Sequence, residues 1–252
     1  MVKIAAVIIV TLFTVTTYGQ ALQTDRPDQT ESSNTIPKGT FQIESGIGIQ
    51  VTQNDITGLN DRSFMLPTSL FRIAVANKFE LRVVNTLYNN RSQNVFFGAE
   101  SNWLIDNLQV GFKWKIAEGD RVKPQIGFMS HVVLPSGTNA VDGVYGVVNK
   151  LLFSHGFSNG WGLGYNLGYT YLGTGDGDLT YSISLAMPIT EKLGAYIESY
   201  GAYENIQNFV TNADAGITYL LKDNIQLDYS FGVGITNRMN YQALGISVRL
   251  PK

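Results

Sequence analysis

The chemistry open to this chain depends on where its few charges stand. Asp, Glu, Lys and Arg make up 15% of its 252 residues, well under the quarter usual in soluble domains. From residue 40 onward many of them stand singly inside runs that alternate apolar and polar residues. Glu44, Arg72, Glu80, Arg82, Lys113, His131, Lys150, Glu198, Asp214, Asp228 and Arg249 occupy such places. Neighbouring strand residues point to opposite faces, so if the apolar members face one medium, these eleven face the other. Both signs occur in similar number. They can serve as ion pairs that fill a narrow interior, or as the polar lining of a path for small solutes. A second group, Asp25, Arg26, Asp28 and Glu31, stands in a stretch with no period.

Catalytic chemistry is poorly supplied. A nucleophile needs a base within hydrogen-bond reach, and the only histidines are His131 and His155. Each has a serine beside it, Ser130 and Ser154, but adjacent strand residues point apart, so neither pair forms a dyad. The absence of cysteine removes disulfides, thiolate metal sites and thiol nucleophiles. The fragment Gly173-Thr174-Gly175-Asp176-Gly177-Asp178 lacks the later Glu of a calcium loop and reads as an exposed hairpin loop. No enzyme activity, metal or cofactor is expected. A net charge of −2 leaves no basic excess to neutralise phosphates, so nucleic acid is not an expected partner.

The elements that must position these charges are strands. In residues 178–187, Leu179, Tyr181, Ile183, Leu185 and Met187 alternate with small or polar residues. Residues 161–172 and 224–234 repeat the pattern. Similar runs cover residues 41–51, 64–75, 79–88, 108–116, 124–134, 145–157, 193–203, 208–220 and 241–250. Runs of about ten residues suit tilted strands that cross a bilayer and exceed the usual soluble strand. About twelve such strands, with mean hydropathy near zero, predict an all-β fold. The predicted architecture is a transmembrane, antiparallel, up-and-down β-barrel with lipid on its apolar face. At the usual tilt its backbone radius is roughly 12 Å. Connections alternate between tight charged turns, such as Ala76-Asn77-Lys78 and Thr190-Glu191-Lys192, and longer loops, such as residues 52–63, 89–107 and 135–144. The tight set would face the periplasm. The loop 89–107, with Phe96, Phe97 and Trp103, is expected to fold inward as a constriction or outward as a contact. Trp161, Tyr169, Tyr171, Tyr181, Tyr219 and Tyr241, near strand ends, are expected at head-group level.

The N-terminus reads as an export signal. Lys3 supplies the positive charge, residues 4–18 the apolar core, and Thr17 and Gly19 small residues at the cleavage site. The expected organisation is a signal peptide over 1–19, a polar segment over 20–39, and a barrel over 40–252. The polar segment could enter the barrel from the periplasm, pair Asp25, Arg26, Asp28 and Glu31 with lumen charges, and act as a plug.

The stretch Gln23-Thr24-Asp25-Arg26-Pro27-Asp28, followed by Ile36-Pro37-Lys38-Gly39-Thr40-Phe41-Gln42-Ile43-Glu44, resembles the mature N-terminus of one outer-membrane family. That family carries the labels transporter and MetA pathway of phenol degradation. The specific match covers about twenty residues, and a signal ending just before Gln20 resembles those of Bacteroidetes secreted proteins. The resemblance implies an outer-membrane barrel that moves small, hydrophobic or aromatic molecules and is placed by the barrel-insertion machinery. Gly245, Val248 and Leu250 keep the terminal spacing without the usual final aromatic, which weakens the expected insertion signal. A structural or adhesive barrel with a filled lumen is the alternative role, and a lipid-hydrolysing barrel a more remote one.

Overall fold

The computed structural model describes residues 22–53, 57–94, 98–120 and 122–250, with backbone alone at 92–94 and 98–100. The expected signal peptide, residues 1–19, lies outside them, as do Phe96 and Phe97. The described strands, in chain order, are β1 Phe41–Gln53, β2 Asn60–Ala76, β3 Phe79–Asn94, β4 Gly98–Ile105, β5 Gln109–Ala117, β6 Gln125–Val133 and β7 Gly146–Gly156. They continue as β8 Gly162–Tyr171, β9 Asp178–Pro188, β10 Leu193–Glu204, β11 Asn208–Lys222, β12 Ile225–Gly234 and β13 Met239–Leu250.

All pairings are antiparallel, and β1 pairs with both β2 and β13. Twelve strands therefore close into a barrel with no open edge around its girth. β4 is a thirteenth strand outside that circuit. It pairs with the far half of β3, Leu87–Ile105 through Asn94–Gly98, while β5 pairs with the near half from Phe79 to Val84. The loop expected at residues 89–107 is thus a hairpin that extends β2 and β3 beyond the barrel wall. Residues 89–94 are polar on both faces and carry no alternation, which is why the stretch read as loop.

Burial is inverted relative to a soluble protein. Among the described residues nine hydrophobic side chains are buried against twenty-two polar or charged ones, so the interior is the polar side. Outward-facing Leu81, Val110, Leu151, Leu167, Ile183, Ile197 and Ile217 are all exposed, as a lipid-facing band requires. Tyr241, expected at head-group level, is instead buried and turned inward, because the alternation of β13 places it on the face of Ser247.

Ile183 sits mid-way along β9 on the lipid face. Ile183→Arg is expected to cost about 2–4 kcal/mol, read as a lower urea midpoint for folding into lipid vesicles. Val141→Arg, in the exposed connection between β6 and β7, should change it by less than about 0.5 kcal/mol.

Candidate functional site

The wall of β1, β2, β3 and β5 carries a group of charges fixed by register. Arg72 on β2 lies directly opposite Arg82 on β3, and Glu80 lies opposite Lys113 on β5. Like charges placed opposite each other across strands repel. Glu44 and Glu80 supply two carboxylates against the three cations Arg72, Arg82 and Lys113, so the wall is one negative charge short. That charge comes from the N-terminal segment, which runs inside the barrel. Asp25 accepts from Arg82 Nη1 at 2.5 Å and from Lys113 Nζ at 2.7 and 2.8 Å, and it pairs with Arg72 at 3.3 Å. Its backbone N–H donates to Glu44 at 2.9 Å. Arg72 also pairs with Glu44 at 2.7 Å and with Glu80 at 2.8 Å.

Glu31 adds a second anion. It accepts from Arg82 Nη2 at 2.7 Å and lies 3.6 and 3.7 Å from Lys113 and Lys150. Burial alone would push the Asp25 carboxyl up. Arg72, Lys113 and Arg82 outweigh it and hold the group well below the ordinary carboxylate range. Burial likewise opposes ionisation of Glu31, but Arg82 and Lys150 bring it down to about 2. His131 accepts from Arg82 Nε at 3.2 Å through Nε2, so Nδ1 carries the proton and donates to Gln109 at 3.2 Å. The other histidine, His155, is bonded to the Tyr165 hydroxyl at 3.4 Å and stacked on its ring.

The opposite wall, β10 to β12, is acidic. Arg26 reaches it and pairs with Asp228 at 3.2 Å. Its guanidinium lies flat on Gly46 and Gly245, where a Cβ would come within 2.5 and 2.4 Å of it, so both positions need the missing side chain. Glu198 accepts the Gln29 N–H at 2.7 Å and the Thr30 hydroxyl, which also donates to Ser182 at 2.8 Å. Asp214 accepts from the Tyr241 hydroxyl. Asp28 sits on this side, half-buried where it borders a cavity at the short-turn end. Burial, with Asp214 and Asp25 adding to it, pushes its carboxyl up to about 7. Arg249 lies on the inward side of β13 at the short-turn rim, paired in register with Gln42.

All eleven strand residues singled out from alternation, ten charges and His131, turn inward, and Asp25, Arg26, Asp28 and Glu31 enter among them. Sequence reasoning missed the neutral groups that hold the segment in place. Asn166 brackets Glu31, accepting its N–H at 2.7 Å and donating to its C=O at 3.0 Å. Gln42 donates to the Gln23 C=O, and Ser33 bonds Gln125 and Ser154 at 2.9 Å each. Only inward alternation marks these residues, and small polar residues carry no charge to draw notice. Ser33 also rests on Gly127, where a Cβ would come within 2.9 Å of its carbonyl.

The segment divides the lumen. A cavity of about 640 Å³ lies at the short-turn end, lined by Asp28, Glu31, Ser154 and Ser184 among others. A second, of about 340 Å³, lies toward the loop end and is lined by Glu31, His131, Lys150 and Tyr200 among others. Thr30 and Glu31, bonded to Asn166, Ser182 and Glu198, stand between them. A third feature is on the lipid side. An apolar groove of about 340 Å³ crosses β12, β13, β1 and β2 at Ile47, Phe64, Leu66 and Leu244.

Comparison with known proteins agrees with this architecture. The family model described as "Putative MetA-pathway of phenol degradation" matches residues 24–250. No curated protein matches the sequence. Among solved structures, the COG4313 outer membrane channel from Pseudomonas putida F1 is similar with a TM-score of 0.71 at 10% identity. That match covers 86% of this chain and 98% of the other. The KdgM porin, solved in complex with disordered oligogalacturonate, gives 0.53 at 10% identity over 82% and 98%. The β-domain of the Bordetella autotransporter BrkA gives 0.51 at 10% identity over 85% and 100%. At such identities the likeness establishes the outer-membrane barrel fold.

Asp25→Asn leaves Arg72, Arg82 and Lys113 without their shared anion. It should destabilise the refolded barrel by about 3–5 kcal/mol in urea. Lys78→Ala removes an exposed pair with Glu118 at 3.4 Å and should cost less than about 1 kcal/mol.

Proposed function

Because the chain belongs to the MetA-pathway of phenol degradation family, we propose that it is an outer-membrane channel for small hydrophobic or aromatic solutes. In this reading the N-terminal segment is its plug. The observation that carries the reading is the division of one lumen into two cavities by a short segment held by side-chain contacts. No backbone ladder ties residues 22–36 to the wall among the described residues, so the segment can shift while the barrel stays closed. The short-turn end faces the periplasm, and the loops face outward.

The wall supports an apolar cargo. Ile47, Gly48, Met65 and Ala243 line both the lipid-side groove and an inner cavity of about 360 Å³ beside Arg26 and Tyr200. At this level the pairing of β1 with β2 skips from Gly46–Thr68 to Gly48–Met65, leaving Leu66 and Pro67 out of the ladder. Pro67 has no N–H to offer it. The wall is therefore thin where apolar surface lies outside and a mixed cavity inside. A solute dissolved in the bilayer meets its least ordered passage there. KdgM holds oligogalacturonate, a polar cargo; the groove favours an apolar one for this chain.

A structural barrel with a filled lumen is the second reading, favoured by the buried charges around Asp25. The two separate on deletion of residues 23–33, read in barrels that a heat-modifiable gel shift shows to be folded, since the deletion also removes Asp25 and Glu31. A plugged channel then shows larger planar-bilayer conductance, and an unchanged or silent trace supports the filled barrel. Leu244→Trp should fill the groove, lowering uptake of an apolar tracer into vesicles while leaving ion conductance within about twofold.

A further inference from the structure

The charges of the N-terminal segment are matched to the lumen with one exception. Asp25 and Glu31 face Arg72, Arg82, Lys113 and Lys150, and Arg26 faces Asp228. Asp28 alone lies toward carboxylates, those of Glu198 and Asp214, and no described ion pair involves any of these three. The groups packed about it supply no cation in compensation. β9 presents Ser182 and Ser184, β10 Tyr196 and Tyr200 besides Glu198, β11 Asn212 besides Asp214, and β13 Tyr241. On β12 the carboxylate of Asp228 is engaged by Arg26. His155 and Asp120 line the same vestibule at its rim.

Buried hydroxyls lie in the same place. The Ser184 hydroxyl, 3% exposed, lies against the Asp28 carboxyl, and the Tyr196 hydroxyl, 4% exposed, has no hydrogen-bond partner among the described residues. Ser184 lines the vestibule with Asp28. Tyr196 lies within electrostatic reach of Asp28, Glu198 and Asp214 together. Three clustered acids with hydroxyls of Ser184 and Tyr196 among them are the groups that a bound proton would join by hydrogen bonds.

We propose that Asp28, Glu198 and Asp214 form a proton-binding site that latches residues 28–30 of the plug to β9–β11. One proton is taken up when the segment docks, and its loss releases the segment and joins the two cavities. This rests on reading the segment as a plug. The anchor at Asp25 and Glu31 has the opposite dependence, since those groups must be ionised to hold, and it stays intact at neutral and alkaline pH. The raised Asp28 carboxyl fits: docking favours its protonated form, so the latch weakens as pH rises from the ordinary carboxylate range through about 7 and is weakest above it.

The chain has no cysteine, so an introduced thiol is unique. Ser184→Cys places a small thiol beside Asp28 in the cavity the segment covers, and its labelling in vesicles reports lifting of the latch. Relative to Ser158→Cys in an exposed turn, labelling should rise about tenfold between about pH 6 and pH 8.5. Adding Asp28→Asn should flatten that rise at the protected level, and Glu198→Gln, which removes a carboxylate that raises Asp28, should shrink it and end it at lower pH. An equal rise in the Asp28→Asn background, or none in either, overturns the proposal. So does protection that follows added Na⁺ or Ca²⁺ at fixed pH, which would assign the cluster to a metal cation. Wild-type conductance should climb over the same range. If the barrel is silent at every pH, even without residues 23–33, the channel reading fails, while pH-dependent labelling still establishes the latch.

Discussion

Two arginines placed opposite each other inside a barrel are the constraint around which this molecule is organised. The register of β2 against β3 sets Arg72 beside Arg82, and Lys113 completes a cationic group that Glu44 and Glu80 do not neutralise. Buried charge of one sign is unfavourable unless an opposite charge and hydrogen bonds accompany it. The barrel strands alone offer no further anion at this level. The missing charge is supplied by a segment that precedes the first strand, so the wall and its occupant are incomplete without each other. Asp25, touching all three cations, is the residue through which that dependence runs.

The interior is polarised as a result. Cations gather along β2 to β7 and carboxylates along β10 to β12, with Asp25 and Glu31 turned to the first group and Arg26 to the second. A segment threaded backwards or slipped by one residue would set acid against acid at several points. Charge pattern thus specifies one placement for a stretch that has no secondary structure of its own. The glycine beds under Arg26 and Ser33 add a steric version of the same selection, since any side chain at Gly46, Gly245 or Gly127 would lift the segment off the wall.

Much of this was legible in the sequence because a membrane barrel writes its two media into a period of two. Each of the twelve closing strands coincides with an alternating run, and the inward charges follow from the same parity. β4 was not legible, because a hairpin with water on both sides loses the alternation that marks a strand. Tyr241 was misplaced for a different reason. An aromatic residue near a strand end suits a head-group region, but parity along β13 aligns it with Ser247 and brings its hydroxyl to Asp214. Nor does parity say which inward residues meet across the lumen. The pairing of Arg26 with Asp228 spans 202 residues of chain and depends on closure of the barrel.

The hairpin of β3 and β4 also fixes how deep the barrel can sit. One edge of β4 pairs with β3, and the other meets, among the described residues, the Thr138 loop at Ile105. The remaining outward N–H and C=O groups must be hydrated, because hydrocarbon cannot satisfy an open sheet edge. The upper limit of the lipid core therefore falls no higher than the break at residues 106–108, where β4 gives way to β5. Below it, β3 from Phe79 to about Leu87 is left to cross the hydrocarbon, close to the span a tilted strand needs. A lone strand edge, acting through its backbone groups, thus serves as the waterline of the molecule.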